Sequence, residues 1–128
     1  MSLDRINGML YVTNQMTTFL LKEYLDGDQS PYGDWFNGLD AVAAARVDRY
    51  VRRMEQGNFG YSSHVGGGVQ ELHIDFGPGY RVYYGRDGER IVILLGGGSK
   101  RGQSRDIAEA IGRWERFKRR RNEMQAGR

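Results

Sequence analysis

Apolar residues recur along this chain at two spacings, and the change from one to the other locates the elements. Thr17 to Leu25 (TTFLLKEYL) mixes β-branched, aromatic and aliphatic residues and ends at Asp26-Gly27-Asp28, which predicts a strand. Ser30-Pro31 has the form of a helix start, a capping hydroxyl ahead of a proline at the first helical position. The short helix it opens carries Trp35, Phe36 and Leu39 toward a core. Asp40 caps a second helix, in which Ala43, Val47, Tyr50/Val51 and Met54 recur at helical spacing and Gly57 supplies the stop. Beyond Gly57 the period falls to two. From Gln70 to Phe76, Leu72, Ile74 and Phe76 share one face while Glu71, His73 and Asp75 share the other. Gly77-Pro78-Gly79 turns the chain into Tyr80–Gly85, where Val82 and Tyr84 face the core and Arg81 and Tyr83 point away. Asp87-Gly88 marks a hairpin, Ile91–Leu95 an apolar central strand, and Gly96–Gly98 its end. Ile107, Ala110, Ile111 and Trp114 then form the stripe of a final helix from about Gln103 to beyond Phe117.

Strand, two helices, a three-stranded meander and a helix predict an α+β domain. Its expected form is a mostly antiparallel four-stranded sheet with an N-terminal helical hairpin and a C-terminal helix, the helices on one face. Leu72, Ile74, Phe76, Val82, Tyr84, Val92, Leu94, Ile107, Ile111 and Trp114 are expected to share one core. The chain of 128 residues allows a single domain, placed at 17–121. Residues 1–16, with methionines at 1, 9 and 16, are set apart, and 122–128 read as a flexible tail.

Composition narrows the function classes. The absence of cysteine excludes a disulfide scaffold, thiol catalysis and cysteine zinc sites. No apolar run approaches the roughly 18 residues of a membrane span, and the first residues do not show a basic stretch, an apolar run and a small-residue cleavage site in that order. A cytoplasmic protein without a membrane partner is expected. Charge is unevenly placed: residues 1–98 hold nine Lys/Arg and twelve Asp/Glu, whereas 99–128 hold ten and four. A basic end of that kind is either a polyanion footprint or a solvated helix face, and charge alone leaves both open.

Several familiar motifs fail on inspection. Gly96-Gly97-Gly98-Ser99-Lys100-Arg101 lacks the glycine before and the hydroxyl after the lysine that a P-loop needs. Gly66-Gly67-Gly68 reads as a flexible turn, and no G-x-S-x-G elbow is present. His64 and His73, the only histidines, make a weak metal pair, so neither a metal nor another cofactor is expected. A stronger constellation joins distant residues. His73, Arg81 and Tyr83 project to one sheet face, and Lys100 and Arg101 leave the end of the next strand. Cations beside an imidazole suit a phosphodiester, the former for charge on the phosphate and the latter for proton transfer. Glu71 and Asp75, on the same face, either orient His73 or make the surface too acidic for RNA.

The chain also resembles a known family. The residues that carry the likeness are Ser30-Pro31 through Trp35, Gly57-Asn58-Phe59-Gly60, and Val65-Gly66-Gly67-Gly68-Val69-Gln70-Glu71-Leu72. To these add Gly77-Pro78-Gly79-Tyr80-Arg81-Val82-Tyr83, and Gly97-Gly98-Ser99-Lys100 with Gln103 and Asp106-Ile107. Over roughly residues 17–120 they resemble the phage-derived, HigB-like addiction-module killer proteins of the RelE/ParE toxin superfamily. That resemblance implies a RelE-like fold and a toxin neutralised by a cognate antitoxin, usually one with a helix-turn-helix domain. It further implies metal-independent cleavage of mRNA at the ribosome, or, for ParE-like members, poisoning of gyrase. By the motif match, Arg81 falls on the phosphate-stabilising arginine and Lys100-Arg101 on the basic pair. His73 falls where many relatives carry Arg or Lys, and His64 where Lys is frequent. No tyrosine stands near Ile107, where some RNA-cleaving relatives place one.

The reading that follows is a toxin of a type II toxin–antitoxin module, an mRNA endoribonuclease working through 2′-hydroxyl attack. Arg81, His73, Lys100 and Arg101 are its catalytic candidates, and His64, Tyr83 and Gln103 its RNA contacts. Arg46, Arg49 and Arg53, on the outer face of the second helix, are candidate antitoxin contacts. The alternatives are a non-enzymatic gyrase inhibitor and a degenerate toxin kept as an antitoxin-binding component.

Overall fold

The computed structural model of the chain describes residues 2–6, 9–13 and 18–127. Two short strands, β1 (Ser2–Ile6) and β2 (Met9–Thr13), pair antiparallel as a separate sheet. The main domain then runs β3 (Leu20–Glu23), α1 (Pro31–Asn37), α2 (Ala41–Glu55), β4 (Tyr61–Gly66), β5 (Val69–Ile74), β6 (Tyr80–Asp87), β7 (Ile91–Ser99) and α3 (Gln103–Ala126). Thr17, where the sequence opens the first of these strands, lies outside the described residues. The helix starts are built as the sequence indicates. Ser30 Oγ accepts from the Gly33 amide, and Asp40 Oδ1 from the Ala43 amide, each at 2.9 Å.

Strands β3 to β7 form one sheet in the order β3-β7-β6-β5-β4, with β3 parallel to β7 and the other pairs antiparallel. The expected four-stranded, mostly antiparallel sheet is thus corrected to a five-stranded mixed one, in which β3 and β7 form the one parallel pair. The additional strand, β4, is a half-exposed edge reading Tyr-Ser-Ser-His-Val-Gly, so no apolar alternation announces it. It joins β5 through Gly67 and Gly68, both left-handed (φ 58° and 86°) as a two-residue hairpin turn requires.

A second correction concerns the layers. Leu72, Ile74, Val82, Tyr84, Val92 and Leu94 pack against Tyr32 of α1 and Val47, Val51 and Met54 of α2. The opposite face, with Val69, Tyr83, Ile93 and Leu95, packs against Tyr24 and against Ala110 and Trp114 of α3. Helices therefore cover both faces, and the single expected core is two, with Ile107, Ile111 and Trp114 in the second. The unbroken run Ile91–Leu95 is what a strand buried on both sides needs. Gly85 lets α3 press down, since a Cβ there would stand 2.6 Å from the Trp114 ring. Residues 122–126, expected as a tail, continue α3. None of the helices described is long and apolar enough to cross a membrane.

Candidate functional site

Pairing of β5 with β6 sets His73 opposite Arg81 and Glu71 opposite Tyr83, all on the face that α3 covers. Helix α3 begins directly above Glu71. Gln103 Nε2 donates to both carboxylate oxygens, at 2.9 and 3.1 Å, and Glu71 is only 1% exposed. His73 Nε2 is in contact with Glu71 Oε1, and Arg81 Nε lies 3.7 Å from the same oxygen. A buried carboxylate is costly unless paired, and this one gathers an imidazole, a guanidinium and an amide. His73 turns Nε2 to the carboxylate, which leaves Nδ1 as the ring nitrogen outside that contact. The Tyr61 ring meets the imidazole edge-on, with centroids 5.1 Å apart.

One backbone carbonyl organises the cations. Gly79 O accepts from Arg81 Nη1 at 2.7 Å and from the Lys100 amide at 3.0 Å, which brings strand β6 and the exit of β7 together. At Gly79 itself φ is 78°, and a Cβ would sit 3.3 Å from Arg81 Nη1, so glycine suits both the turn and the approach. Tyr61, His73, Asp75, Tyr80, Arg81 and Lys100 line the resulting cleft of about 500 Å³.

Residues 34–116 match the family described as phage-derived protein Gp49-like (DUF891), and that stretch contains every one of these cleft residues. The chain belongs to this family. Gp49-like proteins are a toxin-like family of the RelE/HigB type. An uncharacterized protein of Haemophilus influenzae is 40% identical over 80 residues, which cover 62% of this chain and 81% of that protein.

Within the Gp49-like fold the remaining predicted residues scatter. Arg101 is exposed and does not line the cleft; its carbonyl accepts from Ser99 Oγ at 3.2 Å. His64 pairs with Gln70 and, two residues from Ser62, shares the face on which Ser62 meets the Tyr84 hydroxyl, away from His73. Tyr83 is wholly buried under α3, where burial first and Glu71 second raise its pKa. Gln103 holds Glu71 rather than facing the cleft. On α2, Arg46 stacks over Phe76 at 4.5 Å and Arg53 over Tyr50 at 4.7 Å, while Arg49 is exposed. Much of the basic C-terminal stretch is engaged internally: Arg113, Arg116 and Arg120 donate to Leu95 O, the Tyr24 hydroxyl and Leu25 O, and Arg121 pairs with Asp87. Among the described residues no group of three His, Asp or Glu is placed to hold a metal.

Sequence reasoning missed Tyr61 and the carbonyl of Gly79. Tyr61 stands on the strand that polar residues concealed, although the Asn58-Phe59-Gly60 turn just before it was a usable signal. No side-chain pattern reports a backbone carbonyl.

Proposed function

We propose that this Gp49-like protein is the toxin of a toxin–antitoxin module and cleaves mRNA at the ribosome with its own side chains as base and electrophile. The observation that carries the reading is the buried Glu71 holding His73 in a cleft shared with Arg81 and Lys100. In the reaction, His73 Nδ1 takes the proton of a ribose 2′-hydroxyl, and that oxygen forms a bond to the adjacent phosphorus. The bond from phosphorus to the 5′-oxygen breaks, and this oxygen leaves as a hydroxyl with a proton from Lys100 or water. A 2′,3′-cyclic phosphate and a 5′-hydroxyl result. Arg81 and Lys100 balance the charge that grows on the phosphate oxygens, and Glu71 balances the imidazolium. The cognate antitoxin, with a helix-turn-helix domain, is the expected partner, and exposed Arg49 and Arg53 on α2 are available to acidic groups on it.

Induction of the wild type in cells, followed by mapping of mRNA 5′ ends and of gyrase-linked DNA breaks, tests this reading. Arg81→Ala should remove on the order of 2–4 kcal/mol of transition-state stabilisation, by analogy with loss of an oxyanion donor. His73→Ala should slow cleavage by about a hundred- to ten-thousand-fold. DNA breaks with intact mRNA would move the protein to the gyrase-inhibitor class. A wild type with no effect on growth would mark a degenerate toxin.

A further inference from the structure

Register carries one row of residues straight across the sheet. Tyr61 of β4 stands opposite His73 of β5, His73 opposite Arg81 of β6, and Arg81 opposite Gly98 of β7. Directly paired residues share a face, and neighbouring strands lie about 4.8 Å apart. Tyr61 and Arg81 are therefore roughly 10 Å apart across the sheet, with the imidazole between them. The two ends of the row differ. At Gly98 a Cβ would overlap the Asp106 carboxylate, so the first turn of α3 closes the row there. At the other end β4 is the edge of the sheet, and Tyr61 is 71% exposed.

This exposed ring stands on a backbone that is fixed on both sides. Asn58 Oδ1 accepts from the Gly60 amide at 3.0 Å, and Gly60 takes a left-handed φ of 54°. Ser62 Oγ donates to Phe59 O at 2.6 Å and accepts from the Tyr84 hydroxyl at 2.9 Å. Tyr80, the other tyrosine of the cleft, is half-buried and packs against Trp35 and Phe76. Tyr61 alone of the two offers a free aromatic surface, ordered in advance and set beside cations. A nucleobase stacks on such a surface at low entropic cost.

We infer that Tyr61 is the stacking platform for the base of the nucleotide that supplies the attacking 2′-hydroxyl, the one on the 5′ side of the scissile bond. The inference rests on the RNA-cleaving reading and fixes the direction in which the strand lies. With the 2′-hydroxyl at His73 and the phosphate at Arg81 and Lys100, the ribose sits over the middle of the row. Its base extends away from the phosphate, toward the open end and Tyr61. The nucleotide on the 3′ side follows the phosphate past Lys100 and leaves the ring behind. Tyr61 touches the base and none of the reacting atoms, so its role is binding. A purine, with its larger face, gains more from the ring than a pyrimidine does.

The test uses two dinucleoside monophosphates without 2′-hydroxyls, dApdU and dUpdA, which this chemistry cannot cleave and whose single phosphate sets the register. Titrated with the full chain, each should show upfield ring-current shifts on the protons of its 5′ base and none on its 3′ base. Tyr61→Phe should keep these shifts. Tyr61→Leu should abolish them and weaken binding of dApdU by about five- to a hundredfold, the range for loss of one base–aromatic stack. In mRNA 5′-end maps, the wild type and Tyr61→Phe should cut after purines more often than after pyrimidines, and Tyr61→Leu should lose that bias. Shifts on the 5′ base without any mRNA cleavage by the wild type would overturn the nuclease reading alone. Cleavage by the wild type, with probe binding that Tyr61→Leu leaves unchanged, would overturn the stacking role alone. Shifts on the 3′ base, or no saturable binding of either probe, would overturn it too. A Tyr61→Leu variant that binds both probes normally but no longer co-purifies with its antitoxin would assign the ring to a protein interface instead.

Discussion

Two carboxylates on the α3 side of the sheet show how differently the same group can be housed. Glu71 is almost wholly buried yet has three polar neighbours, whereas Asp106 is half-buried with no ion pair among the described residues. Desolvation is the largest influence on Asp106 and raises its pKa, with Arg105 lowering it in part. The helix dipole opposes desolvation, favouring an anion in the first turn of α3 by about 0.3–1 kcal/mol. A carboxyl whose folded pKa lies above its unfolded value holds its proton more tightly in the native state. Its contribution to stability is therefore complete below the ordinary carboxylate range and is lost as pH rises through the raised value. Asp106→Asn should accordingly raise the denaturant midpoint at pH 7 and leave it nearly unchanged near pH 3. A variant destabilised most at pH 7 would show instead that the carboxylate is favourably paired.

At the scale of elements, the most consequential contact is α3 against the sheet. Trp114 is 4% exposed, stacks on Phe117 at 5.3 Å, and lies where Gly68 and Gly85 leave no side chain to obstruct it. Trp114→Ala should cost about 3–5 kcal/mol, read from the denaturant midpoint at constant slope. A loss under 1 kcal/mol would mean that α3 contributes little to the fold. How far these elements were legible depended on which signal each one sends. Caps and helical stripes are local, so α1 and α2 could be read from Ser30, Asp40 and the repeat Ala43, Val47, Val51, Met54. Alternation gave β5 its register as well, because Leu72 and Ile74 do lie on one buried face. It failed on the other face, where the charges of Glu71 and Arg81 suggested solvent; their burial rests on Gln103 and His73 against Glu71, on the Gly79 carbonyl against Arg81, and on their closeness to each other. His73 and Arg81 were legible as neighbours for the same reason that β5 was. Direction was not legible at all: nothing in Leu20–Glu23 says that it runs parallel to Ile91–Leu94.

Across the whole molecule, one sheet divides two apolar clusters, and β5, β6 and β7 contribute side chains to both. Neither cluster can lose its strands without exposing the other, so the main domain should unfold as a single cooperative unit. The two tryptophans provide the means to check this, because they fall on opposite sides. Trp35 packs with the α1/α2 cluster, against Tyr80 at 6.2 Å and over the bare backbone of Gly97. Trp114 packs with the α3 cluster. In Trp114→Phe the remaining fluorescence reports one side of the sheet, and in Trp35→Phe it reports the other. Each substitution will lower stability by a different amount, so each variant is its own reference. Within each, urea transitions followed by fluorescence and by far-ultraviolet circular dichroism should coincide in midpoint and slope. Such agreement would mean that the α3 face and the α1/α2 face lose their structure together through the strands they share. Fluorescence in Trp35→Phe that falls at lower urea than the circular dichroism would instead show α3 peeling away first, leaving the sheet and the α1/α2 pair as a separable folding unit.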